Sequence, residues 1–281
     1  MSQPTIDLPY IDLLLKLLDE NDPDIAIAVQ RHVHAGYWPD PRQAQNTAAD
    51  FAQATENLAR QMYTAAGVRD GMAVLDVGCG IGGTIASLND QFSNLHLTGL
   101  NIDPRQLEHA RATITANASN VITFVEGDAG DLPFPGASFD RLLAVECIFH
   151  FGDRRRFFQE ALRVLKPGGQ LILSDLLPAN WLRPWLQWSM ALPFGPNFYG
   201  NCAFDFTTAD YSRLAEETGF RLVRSQDITH NTLPTYDFLV KLGLTAYRDV
   251  PEAGVQNVAM AGLCHIHALT YFILGFEKPG I

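Results

Sequence analysis

A chain of 281 residues, 47% hydrophobic and only 18% charged, is long enough for one α/β domain with room for a ligand-binding elaboration. Its net charge of −11 repels phosphate backbones and argues against nucleic acid as a substrate, and the tight basic run Arg154-Arg155-Arg156 reads as a solvated helix face. Cys79, Cys147, Cys202 and Cys264 form no C-x-x-C pair and no apolar run approaches bilayer length, so zinc ribbons, a disulfide framework and stable membrane insertion are disfavoured and a cytoplasmic location is the simple expectation.

Along the chain, apolar residues Ile6, Leu8, Ile11, Leu14, Leu15 and Leu18 recur at helical spacing, which predicts helix over 6–33 with a break at Pro23. An aromatic loop, His34 to Pro41, is followed by an alanine-rich helix over 43–66. Strands are then predicted at 72–78, 96–102, 121–128, 139–149 and 169–177. Helices at 82–91, 104–117 and 153–165 separate them. Strands that are apolar throughout and alternate with helices imply a parallel sheet buried on both faces. A helix at 208–218 and strands at 220–229 and 267–277 complete seven strands, while 1–66, 178–206 and 230–262 lie outside the alternation.

The segment VLDVGCGIGG, residues 74–83, ends a strand and opens a helix. Gly78, Gly80 and Gly83 also satisfy G-x-G-x-x-G, but Asp76 stands two residues before the first glycine. A carboxylate there opposes a pyrophosphate and suits an ammonium group. VLDVGCGIGG resembles motif I of the class I S-adenosylmethionine (SAM)-dependent methyltransferases, and the resemblance continues over residues 30–180. SAM carries an ammonium and a sulfonium and no phosphate, which agrees with the charge pattern.

The resemblance implies a Rossmann-like α/β fold: a seven-stranded, mostly parallel sheet with helices on both faces, an antiparallel last strand and helical cap insertions. It implies SAM as cofactor, leaving S-adenosylhomocysteine as product, with the backbone of Gly78, Cys79 and Gly80 against it. The second strand of the family usually ends in an acid that grips the ribose hydroxyls. Here Asn101 stands there, followed by Ile102. Related sterol, lipid and natural-product methyltransferases carry such an amide with a Gln five residues on, which Gln106 matches; Asp103 is the near alternative. Asp128 and the backbone of Ala129 match the adenine-binding pair. His34-Ala35-Gly36-Tyr37-Trp38 resembles the family's H-x-G-Y-W stretch, in which the tyrosine lies over the cofactor, so Tyr37 is a cofactor or lid candidate. Residues 1–66 then read as an N-terminal helical lid, and 67–281 as the SAM-binding core with acceptor-binding insertions at 178–206 and 230–262.

Glu146, His150 and Asp175 fall at or just beyond the ends of the fourth and fifth strands, where ligands bind in open α/β sheets, and such a cluster suits general-base work. By similarity to sugar-, macrolide- and polyketide-tailoring enzymes, His150 is the first choice of base and Asp175 its orienting partner or a co-base. Glu146 then holds the acceptor or the sulfonium region. Trp181, Trp185, Trp188, Phe194, Phe198, Tyr199 and Phe204 read as the wall of an apolar acceptor pocket, as cap core, or as a homo-oligomer or membrane-surface contact. His32-x-His34 and His265-x-His267 lack acidic or cysteine partners at ligand spacing, so no metal is expected. The expected activity is methyl transfer to a small, largely apolar molecule, with oxygen favoured over carbon or nitrogen, in secondary metabolism. The alternative is an inactive SAM-binding scaffold. A scaffold needs neither the glycine loop nor the titratable cluster. Asp76, with the lack of a Tyr-x-x-x-Lys pair, argues against a nicotinamide-dependent reductase.

Overall fold

The structure is a computed structural model and describes residues 8–20, 23–117, 119–182, 198–200, 202–243 and 250–280. The chain opens with helices α1 (Pro9–Asp19), α2 (Pro23–Ala28) and α3 (Ala48–Ala65). Pro23 does interrupt the predicted 6–33 helix, and it does so as the first residue of α2, where its missing N–H costs nothing. Thr47 caps α3 by accepting from the amide of Asp50.

The alternating region follows as β1 (Ala73–Val77), α4 (Gly83–Gln91), β2 (His96–Asn101), α5 (Pro104–Thr113), β3 (Val121–Glu126), β4 (Phe139–Val145), α6 (Arg154–Val164) and β5 (Leu165–Pro178). Next come α7 (Thr208–Thr218), β6 (Arg221–Asp227), α8 (Thr229–Thr232), α9 (Pro234–Gly243), α10 (Pro251–His265) and β7 (Leu269–Glu277). The seven strands form one sheet in the order β3-β2-β1-β4-β5-β7-β6. The pairs from β3 to β5 are parallel, and β7 runs antiparallel to both β5 and β6. The reversal of strand order beside β1 brings the ends of β1, β2 and β4 together, the usual ligand crevice of such sheets.

Both faces of the sheet are covered, and strand parity decides which residue goes where. Leu171, Leu173 and Leu177 of β5 pack with Phe157, Phe158 and Ala161 of α6 and Tyr211 and Leu214 of α7. Ile172 and Leu176 pack on the opposite face with Leu58 and Met62 of α3 and Ile85 and Leu88 of α4. A third apolar cluster joins α1 and α2 to Phe51 and Ala54 of α3 and to Phe238 and Leu242 of α9. The region 230–262, outside the alternation in the sequence, is mostly helical where it is described, in α8, α9 and α10. No helix among the described residues is long and apolar enough to cross a membrane.

Arg154 departs from the solvated-face reading of the basic run. It is 5% exposed, stacks its guanidinium 4.4 Å from the centre of the Phe206 ring and lies 3.4 Å from the Asp175 carboxylate. Only Arg155 and Arg156 of the three face solvent.

Candidate active site

Two cavities of about 380 Å³ each meet at the crevice. The first lies over the glycine loop and is lined by Asp76, Gly78, Cys79, Gly80, Asn101, Ile102, Gln106, Asp128, Ala129, Glu146 and His150. The second is walled mainly by apolar side chains, including Leu14, Phe51, Phe149, Phe198, Phe204 and Phe238. Tyr10, His32, Val33, His34 and Glu146 line both, and so form the wall between them.

Gly78 and Gly80 hold positive φ values of 71° and 55°, and a side chain on Gly78 would strike Cys147 at 2.7 Å, so only glycine keeps this turn and the floor it forms. Asp76 is 1% exposed and its Oδ1 has no hydrogen-bond partner among the described residues. Burial pushes its carboxyl up to about 8. A buried carboxylate oxygen left unpaired on a cavity wall suits a bound ammonium. Gly83, the third glycine of the sequence pattern, lines the first cavity and also serves packing. A side chain there would lie 2.1 Å from the Arg31 carbonyl oxygen, so the glycine lets the 31–36 segment close on the start of α4.

Asn101 holds its own turn, accepting from the amides of Ile102 at 2.8 Å and Asp103 at 3.4 Å, while its Nδ2 reaches the Gly80 carbonyl at 3.5 Å. Gln106 donates to Asp103 at 3.4 Å. Asp103 itself is committed to Arg105 and to capping α5, and it does not line the cavity. Asp128 accepts from the Gly130 amide at 2.7 Å. These side chains shape the crevice from the ends of β2 and β3 and keep polar atoms on its wall.

Glu146 ends β4 with φ at 50°, a left-handed backbone unusual for a side-chain-bearing residue. Its Oε2 accepts from the Ala35 amide at 2.5 Å and from the Tyr271 hydroxyl at 3.1 Å, and its own amide donates to Ser174 Oγ at 3.0 Å. Burial pushes the carboxyl up to about 7, with Ala35 and Tyr271 pulling the other way. His150 closes a short 3-10 turn after β4, stacks 6.2 Å from the Tyr10 ring and places Nδ1 3.8 Å from Cys202 Sγ.

Asp175 lies apart from this group. It is fully buried and lines neither cavity; Oδ2 accepts from the Tyr211 hydroxyl at 2.6 Å and Oδ1 from the Leu176 amide at 2.8 Å. The reason is parity. Residue 175 shares its face of β5 with Leu173 and Leu177, toward α6 and α7, whereas Ser174 and Leu176 face the ligand side. The expected pairing of Asp175 with His150 is therefore replaced by a structural contact to Tyr211 and Arg154. Tyr37 also lines neither cavity. Its amide donates to the Ala54 carbonyl, its carbonyl accepts from Asn57, and its ring packs on the core beneath α3.

Its neighbours in the same stretch do line the cavities. His34 Nε2 lies 3.1 Å from His32 Nδ1, and His32 Nε2 lies 3.0 Å from Glu56, which also binds Ser87. Glu56 supplies the acidic partner that ligand spacing in the sequence did not show. Burial pushes the His34 imidazole down to about 3 and keeps it neutral. Burial alone would raise Glu56, yet hydrogen bonds from His32 and Ser87 hold it at about 2. Tyr10 was not singled out in the sequence, nor were the cavity residues of α9 and α10; helix periodicity marks Tyr10 only as one more apolar position. Of the aromatic segment, Phe198, Tyr199 and Phe204 line the second cavity and Trp181 is 59% exposed. Trp185, Trp188 and Phe194 lie outside the described residues.

Comparison with known proteins agrees with this geometry. A family described as a methyltransferase domain matches residues 75–173. The chain is 32% identical to the O-methyltransferase resE of Aspergillus sclerotiorum over 78% of this chain and 80% of that one. It is likewise 32% identical to the methyltransferase GfsG of Streptomyces halstedii, over 88% and 87%. Among solved structures, the mycolic acid cyclopropane synthase CmaA1, in complex with S-adenosylhomocysteine and CTAB, superposes with a TM-score of 0.75 at 16% identity over 95% of this chain and 94% of that one, which speaks for the fold. Motif, topology and curated relatives converge: the chain belongs to the class I SAM-dependent methyltransferases and is an enzyme that uses SAM as its methyl donor.

Proposed function

We propose that the enzyme methylates a hydroxyl group of a small, largely apolar natural product seated in the second cavity. The observation that carries this reading is the shared wall: an apolar chamber adjoins the cofactor chamber, with the Glu146 carboxylate between them. The curated relatives named as O-methyltransferases support oxygen as the acceptor atom.

In this reading Asp76 holds the ammonium of SAM, and the Gly78–Gly80 turn gives the close backbone approach. Asn101 and Gln106 face the ribose, and Asp128 with the Ala129 backbone faces the adenine. Bound SAM supplies an electrophilic methyl group already activated by its sulfonium. The protein's task is then alignment, exclusion of water and removal of one proton. Glu146 is suited to the last. A carboxyl near 7 is half ionised at neutral pH, where a general base works best, and its fixed bonds to Ala35 and Tyr271 hold it against the chamber junction. His150 is the second candidate, on the cofactor side of that junction. Helices α1 and α2, with the 31–36 segment, cover both ligands.

The test is transfer of a labelled methyl group from SAM to a panel of apolar alcohols and phenols, with matched amines and carbon nucleophiles. Methylation confined to the amines or carbons would overturn the assignment to oxygen. Glu146→Gln should lower kcat by about 10²–10⁴-fold while SAM affinity stays within a few-fold, and should remove the fall in rate below pH 7. If His150→Ala shows that loss and Glu146→Gln does not, the proton goes to the histidine.

A further inference from the structure

The second cavity has polar groups on its wall, and almost all of them are committed to the protein. Thr235 Oγ1 accepts from the Gly36 amide at 3.0 Å. The Tyr199 hydroxyl donates to Asn257 Oδ1, and Asn257 in turn donates to the Leu239 carbonyl at 3.4 Å. Tyr236 is bonded to Cys264. Glu146 belongs to the junction with the cofactor chamber. Gln256 on α10 is different. Its Oε1 is buried, lines this cavity and has no hydrogen-bond partner among the described residues. It lines the second chamber and not the first, whereas Glu146 lines both.

A buried carbonyl oxygen without a donor is destabilising, and apolar neighbours such as Leu239, Leu242 and Met260 cannot relieve it. A group in the chamber that donates a hydrogen bond to this oxygen satisfies it. Resting on the assignment of this chamber to the acceptor, we infer that Gln256 is a specificity-determining residue that reads a second hydrogen-bond donor, a hydroxyl or N–H, carried by the acceptor apart from the methylated group. The acceptor class is thereby narrowed: an apolar body with one nucleophilic hydroxyl at the Glu146 end and a separate donor at the α10 end. With the amide oxygen turned to the chamber as it stands, a carbonyl in place of that donor meets a lone pair instead of a proton.

Estradiol and estrone form a suitable probe pair. Both are rigid and apolar with a phenol at one end; they differ at the other, where estradiol has a hydroxyl and estrone a ketone. Calorimetric titration into the enzyme loaded with S-adenosylhomocysteine should show estradiol binding about ten-fold tighter than estrone. Gln256→Leu should bring the two to equal affinity, with estradiol falling to the level of estrone, and Gln256→Met should repeat this if the leucine variant folds poorly. Equal affinities in the wild type, tighter binding of estrone, or a preference that survives both substitutions would falsify the assignment. Failure of both steroids to bind overturns the chamber's reading and Gln256's role with it. Methyl transfer is scored separately. A Gln256-dependent preference without methylation leaves the donor-reading residue standing and removes the proposed chemistry; methylation without the preference does the reverse.

Discussion

Asp76 is buried with one oxygen unpaired, and this has a sign that can be measured. Its carboxyl rises from an ordinary value of 3.8 to about 8 in the folded, ligand-free protein. The folded chain therefore keeps a proton that the unfolded chain gives up. That contribution to stability is complete below pH 4 and is lost as pH climbs to 8. Asp76→Asn should flatten the decline in melting temperature of the free enzyme between pH 5 and 8. A bound ammonium favours the carboxylate, so SAM binding at pH 7 should expel a proton, visible as a buffer-dependent binding heat. The asparagine variant should lose that proton release and bind SAM roughly ten- to a hundred-fold more weakly, the range for a hydrogen bond between charged groups. Unchanged affinity together with unchanged proton release would show that Asp76 does not meet the ammonium. Glu146, pushed up to about 7, follows the same rule: ligand-free stability falls as pH rises through the range from its ordinary 4.5 to 7.

At the scale of elements, the meeting of the 31–36 segment with the start of α4 is the joint on which the site depends. Gly83 makes it close enough, since a methyl group there would overlap the Arg31 carbonyl and the His32 ring. The same segment brings Val33 and His34 to both cavities and the Ala35 amide to Glu146. Gly83→Ala should therefore cost about 1–3 kcal/mol of stability through overpacking and weaken S-adenosylhomocysteine binding. Thermal unfolding and calorimetry would check it; a variant with lowered stability but unaltered affinity would mean the segment can shift without disturbing the cofactor chamber. Legibility in the sequence follows the same geography. The motif I residues are local in sequence, and Asn101, Gln106, Asp128 and Glu146 sit at or next to strand ends, so topology alone brings them to one crevice. The strand-end rule does not carry the parity of a side chain, which is why Asp175 was expected at the mouth and lies under α6 and α7 instead. Tyr37 was placed by resemblance to a motif whose other members, His34 and Ala35, are the ones that line the cavities. Gln256 and Tyr10 come from helices outside the strand–helix alternation, where no local pattern says which side faces a ligand.

Across the whole molecule, three apolar clusters divide the labour. Two sandwich the sheet, and the third binds α1 and α2 to α3 and α9. The third cluster is separate enough that removing residues 1–28 should leave the sheet folded, with far-ultraviolet dichroism reduced only by the lost helices. Both chambers lose wall residues in the process, Tyr10 from each and Leu14 from the second. The shortened chain should bind S-adenosylhomocysteine more weakly and retain little turnover. Cofactor affinity at the full-length level would show that the helices are a scaffold for the acceptor chamber alone.

Strand β5 carries two interleaved records of descent. Residues 171, 173, 175 and 177 answer to α6 and α7, and Asp175 ties Tyr211 and Arg154 into that face. Residues 172, 174 and 176 answer to the other side, where Ser174 supports Glu146 and Leu176 walls the second cavity. Changes at 174 and 176 should therefore reach Glu146 and the second cavity, and changes at 173 and 175 the packing under α6 and α7, although the two sets alternate along one strand. Relatives that have diverged toward different acceptors should thus differ at positions matching 174 and 176 while keeping those matching 173 and 175, and an equal scatter of differences over both sets would show that the two histories are not separable.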